Sequence, residues 1–219
     1  IMVIYALITI AIFGMWYYAR YEGNFLPSPK KTFNPMMIVA IVILVPGTQF
    51  AANFIANLTG YIRPDWLQQY NELFETSGIT DTTFVTVLYS VILAPICEEL
   101  IFRGVTMRCA RKALPFALAN LMQAALFGLF HLNWIQGIYA FALGIVLGYV
   151  CERGGSIYYS MGLHLLFNLW GTLSGFFPDP GNSVVVFVVV IVVTIVSLVV
   201  GFVLFNKGRR KLPINSTGI

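Results

Sequence analysis

The sequence predicts an all-α protein, a polytopic bundle of transmembrane helices. Three observations carry this. The 219 residues are 58% hydrophobic and only 10% charged, where a soluble domain carries about 25% charged residues. The deficit of charge runs along the whole chain, so it does not describe one anchor on a soluble body. Apolar stretches of about 20 residues, the length that crosses the hydrocarbon of a bilayer, recur between short polar breaks.

Seven such stretches follow in order. The first is 1–19, ended by Arg20. It lacks the small-residue cleavage site of a signal peptide. The chain starts at Ile1 rather than Met, so a further N-terminal segment is expected before it. The second stretch is 35–58, opened by Pro35. Residues 60–80 then place Trp66, Tyr70 and Phe74 four apart, with Leu67 and Leu73 beside them. An interfacial amphipathic helix and an ordered loop both fit that pattern. The third stretch is 82–107, running into a basic end, and the fourth is 115–132, opened by Pro115. The fifth, 134–151, is stopped by Glu152-Arg153-Gly154-Gly155 and carries Gly144 and Gly148 four apart. That spacing suits close helix packing within the bundle, ahead of dimerisation. The sixth is 156–177, stopped by Pro178-Asp179-Pro180-Gly181. The seventh is a Val-rich run, 184–205, ended by Lys207. No repeat or long linker divides the chain. It reads as N-terminal spans with an outer amphipathic segment (1–79), a core (80–206) and a basic tail (207–219).

Charge orients these spans. All basic residues except Arg63 and Arg103 fall in alternate loops and the tail: Arg20, Lys30 and Lys31; Arg108, Arg111 and Lys112; Arg153; and Lys207, Arg209, Arg210 and Lys211. The intervening loops are neutral or acidic, with Asp65, Glu72, Glu75, Asp81 and Asp179. The positive-inside rule makes the basic side and the C-terminus cytoplasmic. The net charge of +4 is therefore spent in short loops and gives no reason to expect nucleic-acid binding. Cys97, Cys109 and Cys151 show no paired or zinc-ribbon spacing and read as reduced thiols.

Polar groups inside these spans point to chemistry, because an ionisable side chain at membrane depth costs about 2.5 kcal/mol or more on insertion scales. Glu98 and Glu99 are neighbours and point ~100° apart on a helix. Glu99 and Arg103 are i,i+4, the spacing at which a carboxylate meets a guanidinium. Glu98 is left without a helical partner, which suits general base or acid work. In the fourth span Phe127 and His131 share a face, and in the sixth His164 and Asn168 do. The two histidines are the only ones in the chain. Singly, each pattern also fits a packed polar residue or an interhelical hydrogen bond. Together they outline a hydrolytic site. Glu98 and His131 would hold and deprotonate a water, His164 and Asn168 would donate to the oxyanion, Glu99 and Arg103 would fix the geometry, and Phe127 would shape the substrate wall. Helix lengths complicate the picture. At ~1.5 Å per residue, Glu98 stands about 23 Å and His131 about 26 Å above the turn at Ala113-Leu114, but His164 only ~12 Å above the start of its own span. The levels agree only if span three reaches well past the membrane before turning and span five is short, tilted or broken.

The run Glu98-Glu99-x-x-x-Arg103, then Phe127-x-x-x-His131, then His164-x-x-x-Asn168 resembles the three motifs of the type II CAAX prenyl protease and bacteriocin-processing (CPBP) family, in order and in placement on three spans. The resemblance covers roughly residues 80–205. It implies a membrane-embedded endopeptidase in which Glu98 and His131 activate water and His164 with Asn168 form the oxyanion site. Family members often carry one more N-terminal span, which agrees with the expected missing start. The family is often labelled a metalloprotease. Zinc would take Glu98, His131 and His164, while the same residues can also be read as a metal-independent glutamate protease. The residues do not decide between them, although Asn168, a good donor and poor zinc ligand, favours the oxyanion reading. The implied partners are membrane lipid and a peptide or protein substrate, either prenylated or of bacteriocin type. Short loops favour a prokaryotic plasma membrane. Two other readings stand beside this one. Cys97 next to Glu98 could serve a Cys–His mechanism, but nothing adjacent activates it. A non-proteolytic scaffold, or a small transporter using the acidic pair as a proton site, would not need every motif position filled.

Overall fold

The computed structural model describes residues 2–19, 34–76, 83–174 and 183–209. The expected Arg20, Lys30, Lys31, Asp81, Arg210 and Lys211, the Pro178–Gly181 break and the tail beyond Arg209 lie outside these residues. Among the described residues there are eight helices and no strand: α1 (Met2–Tyr17), α2 (Pro35–Ile62), α3 (Pro64–Thr76), α4 (Phe84–Ala110), α5 (Phe116–Phe130), α6 (Trp134–Gly154), α7 (Ile157–Ser174) and α8 (Val184–Gly208). Each of the seven apolar stretches forms one helix. Only α2, α4, α6 and α8 are both long and apolar enough to cross a membrane, while α1 and α5 are apolar but have 16 and 15 residues.

The helix ends follow the sequence signals. Asn34 accepts from the Met36 N–H with Pro35 in the first turn, Asn133 accepts from Gln136 and Ser183 from Val186, so each of these helices starts on a side-chain cap. Gly155, at φ 66°, closes α6 in the left-handed conformation that glycine adopts without penalty. Residues 64–76 settle as a helix, not a loop. Its Trp66 ring stacks on Trp134 at 5.3 Å and lies under the Arg63 guanidinium at 4.2 Å. The side chain of Phe74, third in the predicted stripe, lies outside the described residues.

Two helix pairs frame the bundle. In the first, α8 packs along α2 through small residues. Gly201 faces Leu44 and Gly208 faces Met37. Pro46 interrupts α2, and at the break Ser197 of α8 inserts its hydroxyl. It accepts the Gly47 N–H (3.0 Å) and donates to the Ile43 carbonyl, one turn earlier on α2. In the second pair, α5 and α6 are joined by three residues and lie close along their length. Gly128 faces Gly137, Gly144 faces Ala124 and Phe127, and Gly148 faces Asn120 and Gln123. Gly144 and Gly148 therefore serve packing inside the bundle, as expected.

Described cations gather at one end. Arg111 on the α4–α5 turn reaches Glu152 of α6 at 3.2 Å, and Asn34 at the start of α2 donates to the Gly208 carbonyl at the end of α8 (2.6 Å). Arg108, Lys112, Arg153, Lys207 and Arg209 belong to the same end by these connections. The 28-residue α2 carries the chain to the opposite end, where Arg63 pairs with Asp65 at 2.6 Å beside Glu72 and Glu75.

Candidate active site

The three motifs converge. Arg103 Nη1 donates to Glu99 Oε1 at 2.8 Å, and both side chains have no exposed surface. His164 Nδ1 lies 3.0 Å from the same oxygen. Because a carboxylate oxygen only accepts, Nδ1 carries the hydrogen of this bond. The other nitrogen, Nε2, is then 3.5 Å from Glu98 Oε2. Glu98, which lacks a partner on its own helix, thus finds one across the bundle.

Arg103 is held on two further sides. Its Nη2 donates to the Gly144 carbonyl (3.2 Å) and its guanidinium lies 4.5 Å from the Phe127 ring centroid. Gly144 also receives Gln123 Nε2 at 2.9 Å, and Gln123 contacts Asn120 Oδ1 at 2.7 Å. The close approach of α5 to α6 at Gly144 and Gly148 makes this amide chain possible, since a Cβ at Gly148 would collide with both amides. The sequence reading missed Asn120 and Gln123. Their signal was present: two amides three apart on an apolar helix, opposite two glycines.

Phe127 is 1% exposed and meets both histidines edge-on, at 4.9 Å from His131 and 5.7 Å from His164. His131 Nδ1 bonds the Phe127 carbonyl at 2.8 Å. The carbonyl can only accept, so the ring carries its hydrogen on Nδ1 and leaves Nε2 as an acceptor. Immediately beyond, Leu132 takes φ 54° and is 95% exposed. A left-handed leucine costs about 1–2 kcal/mol, and here it ends α5 at His131 and lets α6 begin two residues later.

Asn168 is placed by a device the sequence reading also missed. Helix α4 widens to π-helical turns at 88–93 and 100–107 around the α-helical Ala94–Glu99. The Ala94 N–H bonds Tyr89, five residues back. The Ser90 carbonyl would then need the N–H of residue 95, which is a proline and has none. Asn168 Nδ2 donates to this carbonyl at 2.8 Å. Pro95 was the legible clue.

Glu98, Phe127, His131, His164 and Asn168 all line one cavity of about 740 Å³, while Glu99 and Arg103 do not line it. Its remaining walls come from α2 (Gln49, Asn53), α3 (Tyr70, Leu73) and α6 (Gln136, Tyr139). Helix α6 is continuous over 21 residues, so of the expected alternatives for span five (short, tilted or broken) the break is absent. The mismatch in level closes instead through side-chain reach between Glu99 and His164, and through the His131 ring folding back on its own helix. Cys97 does not line the cavity. It is buried and its thiol donates to the Ala6 carbonyl at 3.3 Å. Among the described residues no three His, Cys, Asp or Glu side chains group so as to hold an ion, and His164 directs one nitrogen to each carboxylate.

Fold and site together define a helical membrane bundle with a carboxylate–histidine cavity. Residues 80–170, which contain all three motifs, match the family model described as Type II CAAX prenyl endopeptidase Rce1-like. This stretch is therefore similar to the family that the motifs resemble, a family of membrane proteases acting on peptide or protein substrates. The comparisons with curated proteins and with solved structures returned no match.

Removing Arg103 tests the buried pair. Arg103→Ala leaves Glu99 with His164 alone in a buried site, a loss of about 3–5 kcal/mol. We expect a lower melting temperature and yield in detergent. A wild-type melting curve from an inactive variant would instead make Arg103 a substrate contact.

Proposed function

We propose that the protein is an intramembrane endopeptidase that hydrolyses a peptide bond by a water activated on Glu98 and His131. The observation that carries this is the convergence of Glu98, His131, His164 and Asn168 on one cavity. The water gives its proton to the Glu98 carboxylate while its oxygen adds to the substrate carbonyl. The acceptor nitrogen of His131 orients that water. Negative charge collects on the carbonyl oxygen, where the second Asn168 N–H and, when the ring carries it, the His164 Nε2–H are the donors. The C–N bond then breaks as the proton passes from Glu98 to the leaving amine. Glu99 and Arg103 touch no substrate in this scheme and position His164.

The substrate is a peptide or protein in the membrane, of prenylated or bacteriocin type by the family's range. The gathering of basic residues at one end of the bundle supports a cytoplasmic C-terminus, and the short loops support a prokaryotic plasma membrane.

Glu98→Gln keeps the shape of the side chain but removes the base, so peptide hydrolysis should fall by roughly 10² or more while the protein still inserts and purifies. Cys97→Ala should retain turnover. Comparing peptide termini in membranes carrying each variant and wild type reads both. Unchanged termini with Glu98→Gln would remove Glu98 as the base, and loss with Cys97→Ala at normal expression would favour the thiol.

Zinc is expected to be dispensable. Detergent-purified protein stripped by a strong chelator should keep its activity, with metal content checked by elemental analysis. Activity that tracks about one equivalent of zinc on removal and return would overturn the metal-free mechanism.

Orientation is tested at the exposed Cys109, which sits at the basic end. A membrane-impermeant thiol reagent should label it only after cells are opened, and labelling of intact cells would invert the topology.

A further inference from the structure

A second cavity, separate from the active site, lies where α5, α6 and α8 meet. It measures about 550 Å³, within the ~300–1,000 Å³ range of small-molecule sites. Carbon dominates its walls: Phe116 and Leu121 from α5, Ile145 and Val146 from α6, Phe202 from α8. Its two polar residues are already engaged. Asn120 donates to the Ile145 carbonyl (3.0 Å) and its Oδ1 is taken by Gln123, while the Tyr149 hydroxyl donates to Asn206 Oδ1 (2.8 Å). An occupant therefore meets an apolar trough with no hydrogen-bonding demand along its length.

The end of the trough differs. Tyr149 stands edge-on to Phe202 at 5.5 Å and closes α6 against α8. The Arg153 guanidinium lies 5.8 Å from the Tyr149 ring, and Lys207 follows Asn206, the residue that Tyr149 bonds. Both cations are exposed. Neither forms an ion pair with a described residue, because the adjacent Glu152 is held by Arg111. Helices α5 and α8 contain no acid. Two cations with no ion-pair partner among the described residues thus lie near the Tyr149 end of an open carbon-lined groove. Apolar length ending in a fixed anion is the shape and charge of an anionic phospholipid, and basic clusters between helices are where such headgroups bind.

We propose that this groove is a binding site for one anionic phospholipid, with an acyl chain on the α5–α6–α8 trough and the phosphate between Arg153 and Lys207. The site is independent of the protease reading, since none of its residues lines the catalytic cavity.

Native mass spectrometry of the detergent-purified full chain, titrated with phosphatidylglycerol or phosphatidylcholine, tests it. Wild type should retain one phosphatidylglycerol about tenfold more readily than phosphatidylcholine. Arg153→Gln with Lys207→Gln should abolish that preference. Ala117→Trp, or Leu121→Trp if the first variant fails to fold, fills the exposed groove without changing charge and should lose the bound lipid. Loss in the charge variant but full retention in a folded groove-filling variant means a general basic surface and overturns the site. Loss only in the groove-filling variant means a neutral lipid chain and overturns the anionic occupant. No preference in wild type overturns both parts.

Discussion

A guanidinium and a carboxylate without exposed surface can persist in an apolar bundle only if each is neutralised and bonded where it sits. The Arg103–Glu99 pair meets that condition by drawing four helices together. Glu99 is on α4 with Arg103, its oxygen is shared with His164 of α7, and Arg103 reaches a carbonyl of α6 and the Phe127 ring of α5. The glycine contacts between α5 and α6 follow from this demand, since a bulkier residue at 144 would hold the carbonyl away from the guanidinium. The pair is not a bidentate fork. One carboxylate oxygen takes both Arg103 and His164, while Glu99 Oε2 and Arg103 Nε have no partner among the described residues. What the pair supplies is position: it fixes the imidazole of His164 so that the other nitrogen faces Glu98.

Prolines do comparable work elsewhere. Pro46 and Pro95 both lie inside helices, and beside each a polar side chain from a neighbouring helix bonds the backbone: Ser197 meets Gly47 and Ile43, and Asn168 takes the Ser90 carbonyl. A missing backbone donor would be costly in lipid. Here it becomes an interhelical attachment with defined register. One attachment ties α8 to α2, and the other sets the angle of a residue on the cavity wall. The fold and the site thus use the same local defect for two purposes.

Much of this could be read from residue order. The apolar runs gave the helices, and Pro35 and Pro115 marked the starts of two of them. The i,i+4 rule gave Glu99 with Arg103, because that contact lies within one helix. The contacts that sequence spacing could not supply cross between helices: His164 with the two glutamates, Asn168 with Ser90, and Gln123 with Gly144. Periodicity predicts which residues share a face, but not the depth at which two faces meet. Of the short, tilted or broken course expected for α6, the break is absent for that reason. The height estimate measured backbone alone and assumed a uniform rise, whereas α4 contains two π-helical segments and the histidine and glutamate side chains span the difference.

The shortness of α5 carries a consequence for the membrane around the bundle. Fifteen residues extend about 22 Å, less than the ~30 Å of a bilayer's hydrocarbon. The helix cannot tilt its way out of being too short, so the lipid beside it must thin or the polar interface must dip. The end at which α5 stops is the one that bears His131 and the fully exposed turn at Leu132. Hydrophobic mismatch thus lowers the water boundary on the side of the bundle where the His131 end of α5 stands.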